Sequence, residues 1–185
     1  MHGTYLIEVA HKPGITDPLA AEVLDDLKHA GLPAGQAGAR GTFKLATSKL
    51  YRLIGRLSPQ ERARVGGELL SDPVVEEAHE GGWKPATLQA RPRRTSGGPK
   101  EKPGNRKAPK AKSVVVDIWF KPGVTDSVGE SVLKGLRDMN LEEIQDVRTG
   151  MRYRFIGLKD PKVAEKLALA VLINPLIHDR TTHVD

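Results

Sequence analysis

Lys12-Pro13-Gly14-Ile15-Thr16-Asp17 returns 109 positions later as Lys121-Pro122-Gly123-Val124-Thr125-Asp126, with one conservative change in six residues. The same spacing lays Tyr5, Ile7 and Val9 on Val114, Val116 and Ile118, and acidic Glu8 on Asp117 on the opposite face. Alternation of this kind marks a half-buried strand in both places. After the turn, Leu19, Val23, Leu24 and Leu27 fall on Val128, Val132, Leu133 and Leu136, an apolar stripe at helical spacing. Asp17 backed by Pro18 makes a helix start, and Asp126 repeats the cap without the proline. Strand, tight turn and capped helix are therefore predicted twice.

The later part of each unit repeats at a shorter spacing of 102. Tyr51-Arg52-Leu53-Ile54-Gly55 answers Tyr153-Arg154-Phe155-Ile156-Gly157, and Leu70-Ser71-Asp72-Pro73 answers Leu172-Ile173-Asn174-Pro175. The first unit thus carries seven extra residues, expected between Gly41 and Leu50, in a chain reversal that the second unit makes near Gly150. A second helix is opened by Ser58-Pro59-Gln60-Glu61, which has capping-box spacing, and by Asp160-Pro161. It closes near Asp72-Pro73 or Asn174-Pro175, since a residue before proline is steered out of the helical region. A last strand then starts at Val74 or Leu176. The expected module is strand, helix, bent strand or hairpin, helix, strand. The fold class is α+β, with two such modules forming a pseudo-two-fold pair, each a mainly antiparallel sheet carrying two helices.

The chain has 185 residues and a formal charge of +6. Between Lys84 and Lys112 stand ten basic residues against the single acid Glu101, so this stretch carries +9 and the rest of the chain −3. It also holds five of the 13 prolines and almost nothing apolar, a composition that cannot offset the entropy of ordering it. Residues 1–82 and 113–185 are therefore read as modules, and 83–112 as a disordered basic linker. A basic groove on the modules themselves is not expected. Cysteine is absent, which removes disulfides, thiolate nucleophiles and cysteine-ligated metal. With no membrane-length apolar run and no leader-like start, a soluble cytoplasmic protein is expected.

The second module, from Val114 to Asp185, resembles PurS, the small subunit of phosphoribosylformylglycinamidine synthase. The resemblance rests on the hydrophobic first strand, the turn ending in Asp126, the run Glu143-Ile144-Gln145-Asp146-Val147-Arg148-Thr149-Gly150, and Leu172-Ile173-Asn174-Pro175-Leu176-Ile177. In the first module, Thr4 to about Gly82, Gln36 and Gly41 keep the register, but Ala37-Gly38-Ala39-Arg40 replaces the Asp-Val-Arg stretch. It reads as a diverged PurS copy. The resemblance implies an adaptor subunit in purine synthesis de novo, docking a glutaminase, PurQ, on a synthetase, PurL, and supporting ammonia transfer. ATP, magnesium and glutamine would be used by the complex, with no cofactor on this chain. Pairing of the modules within the chain follows, and further self-association stays open.

The residues themselves offer no catalytic constellation: no glycine-rich phosphate loop and no acid pair at metal-ligand spacing. The candidates for a partner interface are Asp146, Arg148, Gly150 and Trp119. Arg148 reads equally as a solvated strand residue, and Trp119, like Trp83, as an interface anchor or satellite core. Lys12, Gly14, Asp17, Lys121, Gly123 and Asp126 are assigned to turn and cap rather than to phosphate binding. His178 and His183 fall on opposite faces of a strand, which argues against metal. Two other functions remain open: a paired regulatory module holding a small ligand, and a nucleic-acid binder using Arg91-Pro92-Arg93-Arg94 and the rest of the linker as a cationic tether.

Overall fold

The computed structural model describes residues 3–30, 43–82 and 113–185. The predicted linker, Trp83, and the register of Gln36 and Gly41 lie outside the described residues. Element order repeats once. The first half runs β1 (Gly3–His11), α1 (Pro18–His29), β2 (Lys44–Gly55), α2 (Pro59–Val65) continued by a π-helical segment (Gly66–Leu70), and β3 (Glu76–Glu80). The second runs β4 (Ser113–Phe120), α3 (Ser127–Asp138), β5 (Ile144–Ile156), α4 (Pro161–Val171) and β6 (His178–Val184). No described helix is long and apolar enough to cross a membrane.

Both Lys-Pro-Gly turns take the same form. Ile15 N–H donates to the Lys12 carbonyl (3.0 Å) and Val124 N–H to that of Lys121 (3.1 Å). Gly14 and Gly123 sit at φ 93° and 87°, the left-handed position that a turn with proline before it reserves for glycine. Each lysine ammonium then ties the turn to the loop before the last strand, Lys12 to the Pro73 carbonyl and Lys121 to that of Pro175. The capping box at Ser58 and Glu61 forms in both directions. The last strands begin two residues later than the sequence indicates. Asp72 and Asn174 accept hydrogen bonds from Val74 N–H and Leu176 N–H, holding those residues in a turn instead.

All strands join one antiparallel sheet in the order β3-β1-β2-β5-β4-β6. The halves meet along β2 and β5. In that ladder Lys49 faces Met151, flanked by Ser48 opposite Arg152 and Leu50 opposite Gly150. Because the 102-residue spacing carries Lys49 onto Met151, the pseudo-two-fold axis passes through this pair. Two sequence expectations are corrected here. Gly150 lies in the middle of a continuous 13-residue strand, not at a reversal, so neither half has a hairpin there. The 102 register also holds along β2 from Lys44, which puts the extra residues before that strand rather than between Gly41 and Leu50.

The helices cover one face and exchange partners. One core cluster sets Ala20, Val23 and Leu27 of α1 with Ala164, Leu167 and Ala168 of α4, over Val114, Val116 and Phe155. The other sets Val132 and Leu136 of α3 with Val65 and Leu70, over Ile7, Val9 and Leu53. Each half's first helix therefore packs beside the other half's second. Neither half keeps an apolar core to itself, which suits modules near the size where a lone core is marginal.

Candidate functional site

The face away from the helices carries the interface candidates. Cross-strand pairs share a face, so Arg52, Arg148, Gly150, Arg152, Arg154, Asp117, Trp119 and Glu8 all project there. Toward one end, Trp119, Gly150, Arg148 and Asp146 come together. Arg148 pairs with Asp146 at 3.0 Å, both side chains half-exposed. Trp119 lies directly over Gly150. A Cβ at that glycine would come within 2.8 Å of the indole and 2.6 Å of the Ile118 carbonyl oxygen. Glycine there makes room for the ring.

Arg52 completes this patch and was not singled out from the sequence. It faces Arg148 across the ladder and lays its guanidinium 4.3 Å from the centre of the Trp119 ring. Such stacking holds a cation over an aromatic face while its N–H groups stay free to bind acceptors. The signal was present in the repeat, since Tyr51-Arg52 answers Tyr153-Arg154, but a strand partner for Arg52 could not be read without the register.

Over the centre, this same face is buried, against the expectation that Glu8 and Asp117 mark a solvated side. Glu8 is fully buried and Asp117 is 6% exposed. The reason is a shared set of ion pairs. Arg152 makes a two-pronged contact to Asp117, Nε to Oδ1 at 2.6 Å and Nη2 to Oδ2 at 2.7 Å. Its Nη1 also donates to Glu8 Oε2 at 2.6 Å. Arg154 donates to both Glu8 oxygens, and Ser48 Oγ donates to Oε1. Burial pulls the Arg152 guanidinium toward losing its proton, but Asp117 and Glu8 outweigh it and hold the charge more tightly than usual. These arginines are committed to the fold; the accessible ones are Arg52 and Arg148.

The turn and cap residues are likewise structural. Asp17 and Asp126 cap α1 and α3 through Ala20 N–H and Gly129 N–H, at 2.9 and 2.8 Å. Each also accepts from the middle strand, Asp17 from Thr47 N–H and Asp126 from Thr149 N–H, both at 2.6 Å, as well as from the threonine hydroxyls. One carboxylate thus fastens helix to sheet in each half. His178 and His183 do occupy opposite faces of β6. His178 stacks against Phe120, with ring centroids 5.4 Å apart. Its counterpart, Glu76, instead receives the Lys49 ammonium at 2.8 Å.

Comparison with known proteins finds one family model and several solved structures. Residues 113–185 match the PurS family model, described as phosphoribosylformylglycinamidine (FGAM) synthase. Among solved structures, the chain is similar to Methanocaldococcus jannaschii PurS, one of the subunits of formylglycinamide ribonucleotide amidotransferase in the purine biosynthetic pathway. The identity is 23%, covering 40% of this chain and 95% of that one, with a TM-score of 0.37. It is also similar to B. subtilis PurS in a C2 crystal form, at 27% identity, covering 40% and 98%, with a TM-score of 0.36. No curated protein matches the chain.

Proposed function

We propose that this chain, whose residues 113–185 match the PurS family, is the small non-catalytic subunit of a cytoplasmic FGAM synthase complex. In that role it docks a glutaminase, PurQ, on a synthetase, PurL, so that ammonia released from glutamine reaches formylglycinamide ribonucleotide. ATP, magnesium and glutamine are then held by the partners. The family match carries this reading. The strand-to-strand union of the halves supports it, because a module matching PurS comes with a covalently attached partner of the same element order. Tethering replaces a bimolecular association by an intramolecular one. The half-exposed patch of Trp119, Arg52, Arg148 and Asp146 is the surface offered to a partner, since aromatic and arginine side chains dominate interface energetics.

The test is FGAM formation by PurL and PurQ from the same organism, with and without this chain, using glutamine or ammonium as nitrogen source. The expected result is that glutamine-dependent activity requires the chain while ammonium-dependent activity needs it much less. Trp119→Ala with Arg148→Ala should weaken the glutamine-dependent rate without unfolding the chain. Indifference of both rates to the chain would remove the proposal.

A further inference from the structure

On the helix-bearing face, beside the pseudo-two-fold axis, lies a cavity of about 460 Å³. It opens between the start of α3 and the end of α4, and its walls include Tyr51, Tyr153, Met151, Phe120, Leu172 and His178. This volume lies within the range of small-molecule sites, about 300–1,000 Å³. The wall is mostly apolar and aromatic, with Tyr51 and Tyr153 among the residues on it that can hydrogen-bond. Tyr51 and Tyr153 are each 7% exposed, and neither hydroxyl has a hydrogen-bond partner among the described residues. Neither hydroxyl is a buried polar atom left without a partner, so both reach solvent, and two repeat-related hydroxyls beside one apolar cavity can bond a guest.

We propose that this cavity binds a small, uncharged heteroaromatic compound, stacked among Phe120, His178 and Met151 and hydrogen-bonded to the Tyr51 and Tyr153 hydroxyls. The charge of the guest follows from the surroundings. The one ammonium on the wall, Lys49, is already paired with Glu76 at 2.8 Å. Burial pushes both phenols up; at Tyr51 the Lys49 charge opposes it while Glu76 and Asp126 add to it, and at Tyr153 Asp17 adds to it. The hydroxyls therefore stay protonated and can donate to a neutral guest. Divergence of the halves shapes the cavity. At the positions where the first half carries the Lys49–Glu76 ion pair, the second carries Met151 and His178. A thioether and a ring leave an apolar wall with adaptable packing, suited to a flat guest.

This reading does not depend on the FGAM synthase assignment, because binding is measured on the full chain alone. The probe is quinazolin-4-one, a neutral bicyclic ring with a donor and an acceptor on one edge, titrated by calorimetry and by ligand-observed NMR. Naphthalene-2-carboxylate serves as an anion of similar size. Saturable binding of the neutral probe is expected, with none of the anion. Met151→Trp, which fills the cavity, should abolish binding. The near-isosteric pair Tyr51→Phe and Tyr153→Phe should weaken it about tenfold through loss of their hydrogen bonds to the guest. Absence of saturable binding to the native chain overturns the proposal, as does equal binding by the double phenylalanine variant.

Discussion

Leu50 and Ser48 in the first half stand where the second half has Arg152 and Gly150, although the two halves share an element order, their turns and their caps. The difference makes the halves complementary rather than equivalent. Glu8 and Asp117 meet Arg152 and Arg154, so two buried carboxylates face two buried guanidiniums. A copy of the second half paired with itself would set two Asp117 and two part-exposed Asp185 carboxylates against four guanidiniums, with no Glu8 to bridge the arginines. Loss of the carboxylate that bridges two buried arginines is costly, so the divergence favours the pairing that the chain contains. Repetition is kept where the backbone needs it, and lost where side chains cross the junction.

Glu8→Gln is the strongest way to break this complementarity. It removes the negative charge that both arginines share across the junction, whereas Asp117→Asn affects only Arg152 within the second half. The expected loss for Glu8→Gln is about 3–5 kcal/mol, the range for breaking a buried pair. Asp117→Asn should cost less. Urea denaturation of both variants measures this, and an equal or reversed order would refute the cross-half role of Glu8.

Next come the caps. Asp126 and Asp17 make the same bonds, but Asp126 is buried and Asp17 only half-buried. Asp126→Ala should therefore cost about 2–3 kcal/mol and Asp17→Ala about 1–2, combining a lost cap with unsatisfied strand groups. Equal midpoints in denaturant would show that burial does not separate the halves here.

Gly150→Ala sharpens the comparison at a smaller scale. Its counterpart, Ser48, already carries a Cβ, because the residue corresponding to Trp119 in the first half is Ala10. In the second half the added methyl meets both the Ile118 carbonyl oxygen and the indole, so strand and ring must shift, at about 1–3 kcal/mol. Tryptophan fluorescence should report the displacement. Ser48→Ala keeps the Cβ and should leave the emission unchanged.

The repeat made most of the fold legible, because turns and caps depend on local chemistry. A proline before a positive-φ glycine, or an aspartate before a helix, means the same thing wherever it lies. That Asp146, Arg148, Gly150 and Trp119 share one face follows from strand parity once the pairing of β4 with β5 is known. What escaped depended on register across the junction. Glu8 looked solvated because alternation reports only that a residue faces away from the helices, not that a neighbouring strand brings arginines to it. Gly150 suggested a reversal because glycine punctuates many chains, yet here it yields space to Trp119. The tyrosines of the cavity appeared in the repeated Tyr-Arg motif, but their open hydroxyls emerge only when the helices are placed.

The smallest effect separates the two halves by pH. Burial alone would raise Glu76 and lower Lys49, but their mutual hydrogen bond and charge win, so Glu76 is held below 4.5 and Lys49 above 10.5. For Glu76, lowered in the fold, the contribution to stability is present above its unfolded value and lost as pH falls through the folded one. For Lys49, raised in the fold, it is present below 10.5 and lost as pH rises through the folded value. The second half has Met151 and His178 at these positions, and so lacks the pair. Lys49→Met should therefore remove the alkaline limb and reduce the acid limb of the stability profile. Because the Lys49 side chain is 48% exposed, solvent screens the pair, and the change at neutral pH should be below about 1 kcal/mol. Denaturation midpoints at pH 3, 7 and 11 would measure it. An unchanged difference between pH 7 and pH 11 in the variant would show that Lys49 is not the group responsible.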